Sequence, residues 1–219
     1  MNKNNAIRGL IVYAFYSASG NIVMMAALVI LVGAFAVVTG SPALIGAFVG
    51  VGIVSLPSAI LISAPKDSTS KWTKFRGAMP VKRKNIISSL YISNLLIAAV
   101  SILLSIAIIG LLKILHGDIM AEIDLFAFSP ILVGAPLMAC ALFYPLVLTI
   151  GESKEEAVCI ICVLGGAAAA AGIWWSANRL GEVIGYADGV GMVFSFAIPV
   201  VLIVLSYAVS VKIYAKKDL

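Results

Sequence analysis

The stretch Ile86 to Leu112, IISSLYISNLLIAAVSILLSIAIIGLL, runs 27 residues without one Asp, Glu, Lys or Arg. As a helix rising 1.5 Å per residue it is about 40 Å long, enough to cross a hydrocarbon core of roughly 30 Å. Five more uncharged runs repeat the signal: Ile22 to Val38, Leu44 to Ala64, Pro130 to Ile150, Ala157 to Trp175 and Gly191 to Val211. The expected fold class is therefore all-α, a single polytopic membrane domain over 1–219 with six transmembrane helices.

Composition agrees. The 219 residues are 62% hydrophobic and only 11% charged, against roughly 25% charged in a soluble domain. The net charge of +5 is not a nucleic-acid signal, because the cations sit in loops beside apolar runs. Their placement sets orientation, since Lys and Arg are retained on the cytoplasmic side. Lys3, Arg8, Lys66, Lys71, Lys74, Arg76, Lys82, Arg83, Lys84, Lys154, Lys212, Lys216 and Lys217 fall on one side, and only Lys113 and Arg179 on the other. Both termini are thus expected to be cytoplasmic. Ala34-Phe35-Ala36 is not expected to be a signal-peptide cleavage site, because its apolar run follows some 20 residues of patterned sequence.

In those first residues, Ile7, Leu10, Ile11, Ala14, Phe15 and Ala18 make one helical stripe. Residues 1–21 are therefore expected to form an amphipathic helix lying along the cytoplasmic membrane surface, or else to extend the first span inward. Thr39-Gly40-Ser41-Pro42 reads as a tight turn between spans one and two. Gly46 with Gly50, and Gly165-Gly166 leading to Gly172, mark places where helices approach closely, and they put the fifth span inside a bundle. Cys159 and Cys162 are one helical turn apart, and with the only histidine, His116, on the opposite side they read as packing residues rather than metal ligands. The outer segments 113–129 and 176–190 hold Asp118, Glu122, Asp124, Glu182 and Asp188, spaced like no calcium loop and expected to face solvent.

Chemistry of the chain's own is not expected. No glycine-rich loop ends in Gly-Lys-Ser or Gly-Lys-Thr. Glu155-Glu156 lacks the arginine and later histidines of an intramembrane CAAX-type protease, and Ser19-Gly20 lacks the histidine a rhomboid needs as base. No ionisable group lies inside a span to relay protons or couple ions. A passive role, a channel, or a transporter powered by another subunit remains.

The inner loop 65–85 stands out. Lys71-Trp72-Thr73-Lys74-Phe75-Arg76 puts two aromatic rings one helical turn apart among cations, before Gly77-Ala78-Met79-Pro80 breaks the helix. Such a helix suits docking on a partner. A basic interfacial loop that enforces topology fits the same residues equally well.

Asp67, Lys71-Trp72, Met79-Pro80-Val81-Lys82-Arg83-Lys84, Ile86-Ile87 and Tyr91, with the ending from Ser210 to Leu219, resemble the membrane subunits of ABC-2 type transporters. The resemblance is especially to the small six-span permeases of bacterial peptide exporters. That family's pattern is a tryptophan, then Leu-Pro-Val-Ser-Arg-Lys, then a helix with Lys-Tyr; Met79, Lys82 and Leu90 depart from it. The resemblance implies a permease in the bacterial cytoplasmic membrane that dimerises with a second copy. It also implies two copies of a separate ATPase subunit, which would bind the ATP and Mg, with no cofactor in this chain. Lys71, Trp72, Phe75, Arg76, Pro80 and Arg83 would then form the ATPase-coupling element, with 1–21 as a connecting helix. Glu152 and Glu155 of the second inner loop offer a further contact, or simply cap the fifth helix. The implied cargo is an amphipathic peptide of the phenol-soluble modulin kind, which suits spans of Leu, Ile, Val and Ala. The alternative class is a non-transporting immunity or scaffold protein, which no ATPase would accompany.

Overall fold

A computed structural model describes residues 3–41, 44–45, 55–61, 63, 82–115, 125–150, 154–184 and 187–216. The fold is all-α, with no strand among the described residues. Five long helices follow one another: α1 (Lys3–Thr39), α2 (Arg83–Leu115), α3 (Leu125–Ile150), α4 (Glu155–Ile184) and α5 (Ala187–Lys216). Each contains a stretch long and apolar enough to cross a membrane. The second expected span is helical at 44–45, 55–61 and 63; the rest of it, with Gly46 and Gly50, lies outside the described residues. Large apolar side chains such as Leu31, Phe35, Leu103, Ile161 and Leu164 face outward, as they do where the surrounding solvent is lipid.

Residues 3–21 do not form a separate surface helix. They are the first turns of α1, whose 37 residues measure about 55 Å. The reason is the continuity of one face. The stripe from Leu10 to Ala18 runs on through Asn21, Val29, Gly33 and Ala36, all buried. Instead of meeting a lipid surface, it packs on protein. Leu10 joins a core cluster with Leu61, Ile86, Ile87 and Tyr214, and Ala18 meets Leu56, Ile60 and Ile97. The helix stops at the expected turn: Gly40 takes a φ of 59°, a conformation that favours glycine, and its N–H reaches the Ala36 carbonyl at 3.0 Å. The Ile45 N–H then bonds Ser41 O at 3.0 Å, opening the return helix.

Helices α3, α4 and α5 pack together as a three-helix bundle; α2 lies against α5 and more lightly against α3, and α1 lies on α2. Helices α3 and α4 approach closely at Gly166, where a Cβ would stand 2.6 Å from the Ala139 nitrogen and 3.0 Å from the Ala135 carbonyl oxygen. Helix α4 packs against α3 and α5 on one side; its other side, with Ile160, Ile161, Leu164 and Trp175, is exposed. It is thus a flank of the bundle, not its centre. Helix α4 also continues through part of the expected outer loop. There Arg179 pairs with Glu182 at 3.3 Å and its guanidinium sits 5.7 Å from the Trp175 ring centre, an i, i+3 and i, i+4 arrangement that belongs to a helix.

Candidate functional site at the basic end of the bundle

Leu10 of α1, Ile86 of α2, Tyr144 of α3, Val158 of α4 and Tyr214 of α5 share one core cluster. The start of α1, α2 and α4 and the close of α3 and α5 therefore lie at one end, as the distribution of cations requires. Of the expected coupling residues, Lys71, Trp72, Phe75, Arg76 and Pro80 lie outside the described residues, as does Glu152. Glu155 begins α4, and its side chain is likewise outside them. Arg83 is described and opens α2. Its guanidinium donates to the Ala215 carbonyl at 2.9 Å, one of the last carbonyls of α5, where a helix accepts cations best. The loop 65–85 thus leads directly into a tie between α2 and the end of α5.

Deeper in, a clasp joins α2 to α3 and α5, and it starts from a proline. Pro145 in α3 has no N–H to offer the carbonyl four residues back, Ala141. Left bare within a membrane, that carbonyl would be costly. The Ser206 hydroxyl of α5 donates to it at 2.6 Å. With its proton spent, Ser206 can only accept from the Tyr91 hydroxyl of α2, 2.7 Å away. Tyr91 in turn accepts from Ser210, at 2.9 Å. The order Ser210 to Tyr91 to Ser206 to Ala141 is forced by one proton per hydroxyl, and bonds aligned in such a chain strengthen one another.

Two further bonds flank the chain. Ser88 gives its proton to Lys84 O at 2.8 Å, so the Tyr207 hydroxyl, 2.8 Å from it, donates to Ser88. Tyr144 of α3 donates to Leu90 O at 3.2 Å. The rings pack as the hydroxyls bond: Tyr91 lies 4.6 Å from Tyr144 and 5.5 Å edge-on from Tyr207, centre to centre. Sequence reasoning singled out Tyr91 and Ser210 only as parts of motifs and missed Ser88, Tyr144, Ser206 and Tyr207. The available signal was Pro145 at a position that frees Ala141, together with Ser206 and Ser210 one turn apart on α5.

Cys140, Cys159 and Cys162 are free thiols buried in the same core cluster. Among the described residues no group of His, Cys, Asp or Glu is placed to hold a metal. What this end of the bundle holds is a set of uncharged hydroxyls and rings that join α2 to α3 and α5.

These features define a multi-pass membrane protein whose helices are tied together at the end where its basic loops enter. The family model described as ABC-2 family transporter protein matches residues 9–215, and the chain belongs to that family. No curated protein and no solved structure matches it.

Proposed function

We propose that this chain is the permease subunit of an ATP-driven exporter: two copies form the membrane pathway, and two copies of a separate ATPase subunit bind ATP and Mg on its cytoplasmic face. Family membership supports the transporter role, and the distribution of cations supports cytoplasmic termini; the membrane is the bacterial cytoplasmic membrane that the family resemblance implies. The observation that carries the coupling mechanism is Arg83, which ends the basic inner loop and holds the Ala215 carbonyl. A push on the loop residues Lys71, Trp72, Phe75, Arg76 and Pro80 then moves the start of α2. Through Arg83 and the tyrosine clasp, α5 and α3 follow, and a cavity between the two permease copies changes its access. Glu152 and Glu155 make a second contact with the ATPase. Spans with no charge favour a hydrophobic or amphipathic cargo, and a peptide fits best.

The test is co-purification of the chain with an ATPase subunit, followed by hydrolysis measurements with and without the permease. Replacing Trp72→Ala and Phe75→Ala together abolishes the permease-dependent part of hydrolysis while insertion in the membrane is unchanged. Hydrolysis and export that survive this pair refute the coupling role of the loop.

A further inference from the structure

Helix α2 carries a buried polar group that the clasp does not use. Asn94 is 2% exposed, and its amide nitrogen has no hydrogen-bond partner among the described residues. It stands almost one turn beyond Tyr91, on a face shared with the buried Ile87, Ala98 and Ser101. A buried donor without an acceptor is strongly disfavoured, most of all where no water can reach it. The buried serines nearby avoid this by bonding their own helix, as Ser89 does to Ile86 O at 2.7 Å and Ser93 to Ser89 O at 2.7 Å. The Asn94 amide nitrogen, three atoms out from Cα, makes no such bond to its own helix.

The attachments of α2 are divided at this residue. The interhelix hydrogen bonds described above, through Arg83, Ser88, Leu90 and Tyr91, hold its first turns to α3 and α5. Beyond Asn94, Ile97 packs instead against Ala18 of α1 and against Leu56 and Ile60. The flank of α2 there is exposed at Leu96, Val100 and Leu103. Its base is therefore hydrogen-bonded to the three-helix bundle while also packing with Leu10 and Leu61, and its outer half packs with α1 and with Leu56 and Ile60.

We propose that Asn94 and Tyr91 are opposed positioning residues that set a two-position equilibrium of α2. In the position described here the Tyr91 chain is complete and the Asn94 amide is unpaired. In the second position the outer half of α2 swings away from α5 together with α1, Asn94 gains a carbonyl or hydroxyl acceptor, and Tyr91 gives up its bonds to Ser206 and Ser210. Each position keeps hydrogen bonds that the other lacks, so neither dominates strongly, and removing one side shifts the balance about fivefold. The proposal rests on the permease reading only for the purpose of the movement: it supplies the bistable element that an ATPase could bias.

The experiment measures distances between spin labels on Ile106→Cys of α2 and Val193→Cys of α5, both exposed, in the full chain with Cys140, Cys159 and Cys162 replaced by Ala. The protein is placed in lipid nanodiscs, with unlabelled chain in excess so that only one labelled copy is read. The expected parent distribution has two separations. Asn94→Leu, which removes the unpaired donor at nearly constant volume, moves the populations about fivefold toward the shorter. Tyr91→Phe, which keeps the ring and removes the hydroxyl, moves them about fivefold toward the longer. Ser210→Ala is the milder companion and shifts the same way as Tyr91→Phe. One separation common to all variants, or shifts of Asn94→Leu and Tyr91→Phe in the same direction, overturns the proposal. No ATPase is present in the sample, so this result is independent of whether the chain stimulates one.

Discussion

Gly166→Ala is the substitution whose effect the geometry determines most sharply. The added methyl would lie 2.6 Å from the Ala139 nitrogen, 2.9 Å from its Cα and 3.0 Å from the Ala135 carbonyl oxygen. All three are main-chain atoms of α3, so no side-chain rotation relieves them, and α4 must move out by several tenths of an ångström. Overpacking of this kind costs about 1–3 kcal/mol, and a rigid backbone target puts Gly166 toward the upper figure. Alanine also favours a helix over glycine by about 1 kcal/mol, which partly masks the clash. Gly172→Ala, on the same helix with nothing within 4 Å of its added Cβ, isolates that gain. The two variants are expected to differ by about 2–3 kcal/mol, read as unfolding free energy in bicelles or as a thermal midpoint several degrees lower for Gly166→Ala. Equal stabilities of the two variants would show that α3 and α4 do not meet at Gly166 and would refute the packing of the bundle.

The remaining predictions concern polar contacts. Asn21 donates to Ser63 at 3.2 Å between α1 and the second span, and a double-mutant cycle with Asn21→Leu and Ser63→Ala should return a coupling of about 0.6 kcal/mol, the usual size inside membranes. Ser206→Ala leaves Ala141 O bare and takes an acceptor from Tyr91; a loss of about 1–3 kcal/mol in unfolding free energy is expected, and a neutral result would mean the clasp is not formed. Arg179 and Glu182 are 65% and 59% exposed, so Glu182→Gln should change the unfolding free energy by no more than about 0.5 kcal/mol.

Most of the fold was legible because a membrane makes a coarse demand. An uncharged run of sufficient length becomes a helix, and α2, α3, α4 and α5 contain the runs expected of them. The same logic located the turn at Gly40. It failed at the ends, where charge no longer reports structure: Arg179 and Glu182 marked residues 176–184 as loop, whereas i, i+3 spacing with Trp175 four residues earlier supports continued helix. The first segment shows a different ambiguity. A stripe of Ile, Leu, Phe and Ala fits lipid and protein equally well, and only the continuation of that stripe through Asn21, Val29 and Ala36 tells which surface it meets. An asparagine would not face acyl chains without a partner such as Ser63, so Asn21 was the residue that could have decided the matter.

The clasp was harder to read, because it depends on residues distant in the chain and unremarkable one by one. Serine within a membrane helix usually bonds its own backbone, as Ser93 does to Ser89 O at 2.7 Å, and such a bond carries no long-range information. Ser206 differs only because Pro145, 61 positions earlier, removes a donor from α3 and creates a demand that another helix must meet. That demand orients the proton of Ser206, which orients Tyr91, which leaves Ser210 as the donor. Proline thereby converts a local defect in one span into a directional tie among three. The tie lies at the end where Arg83 opens α2, so the ordered hydrogen bonds of α2 come before the apolar contacts farther along it. The start of α2 is thus joined to α5 through Arg83 and to α3 and α5 through Tyr91 and its neighbours, which is the property the proposed coupling role requires.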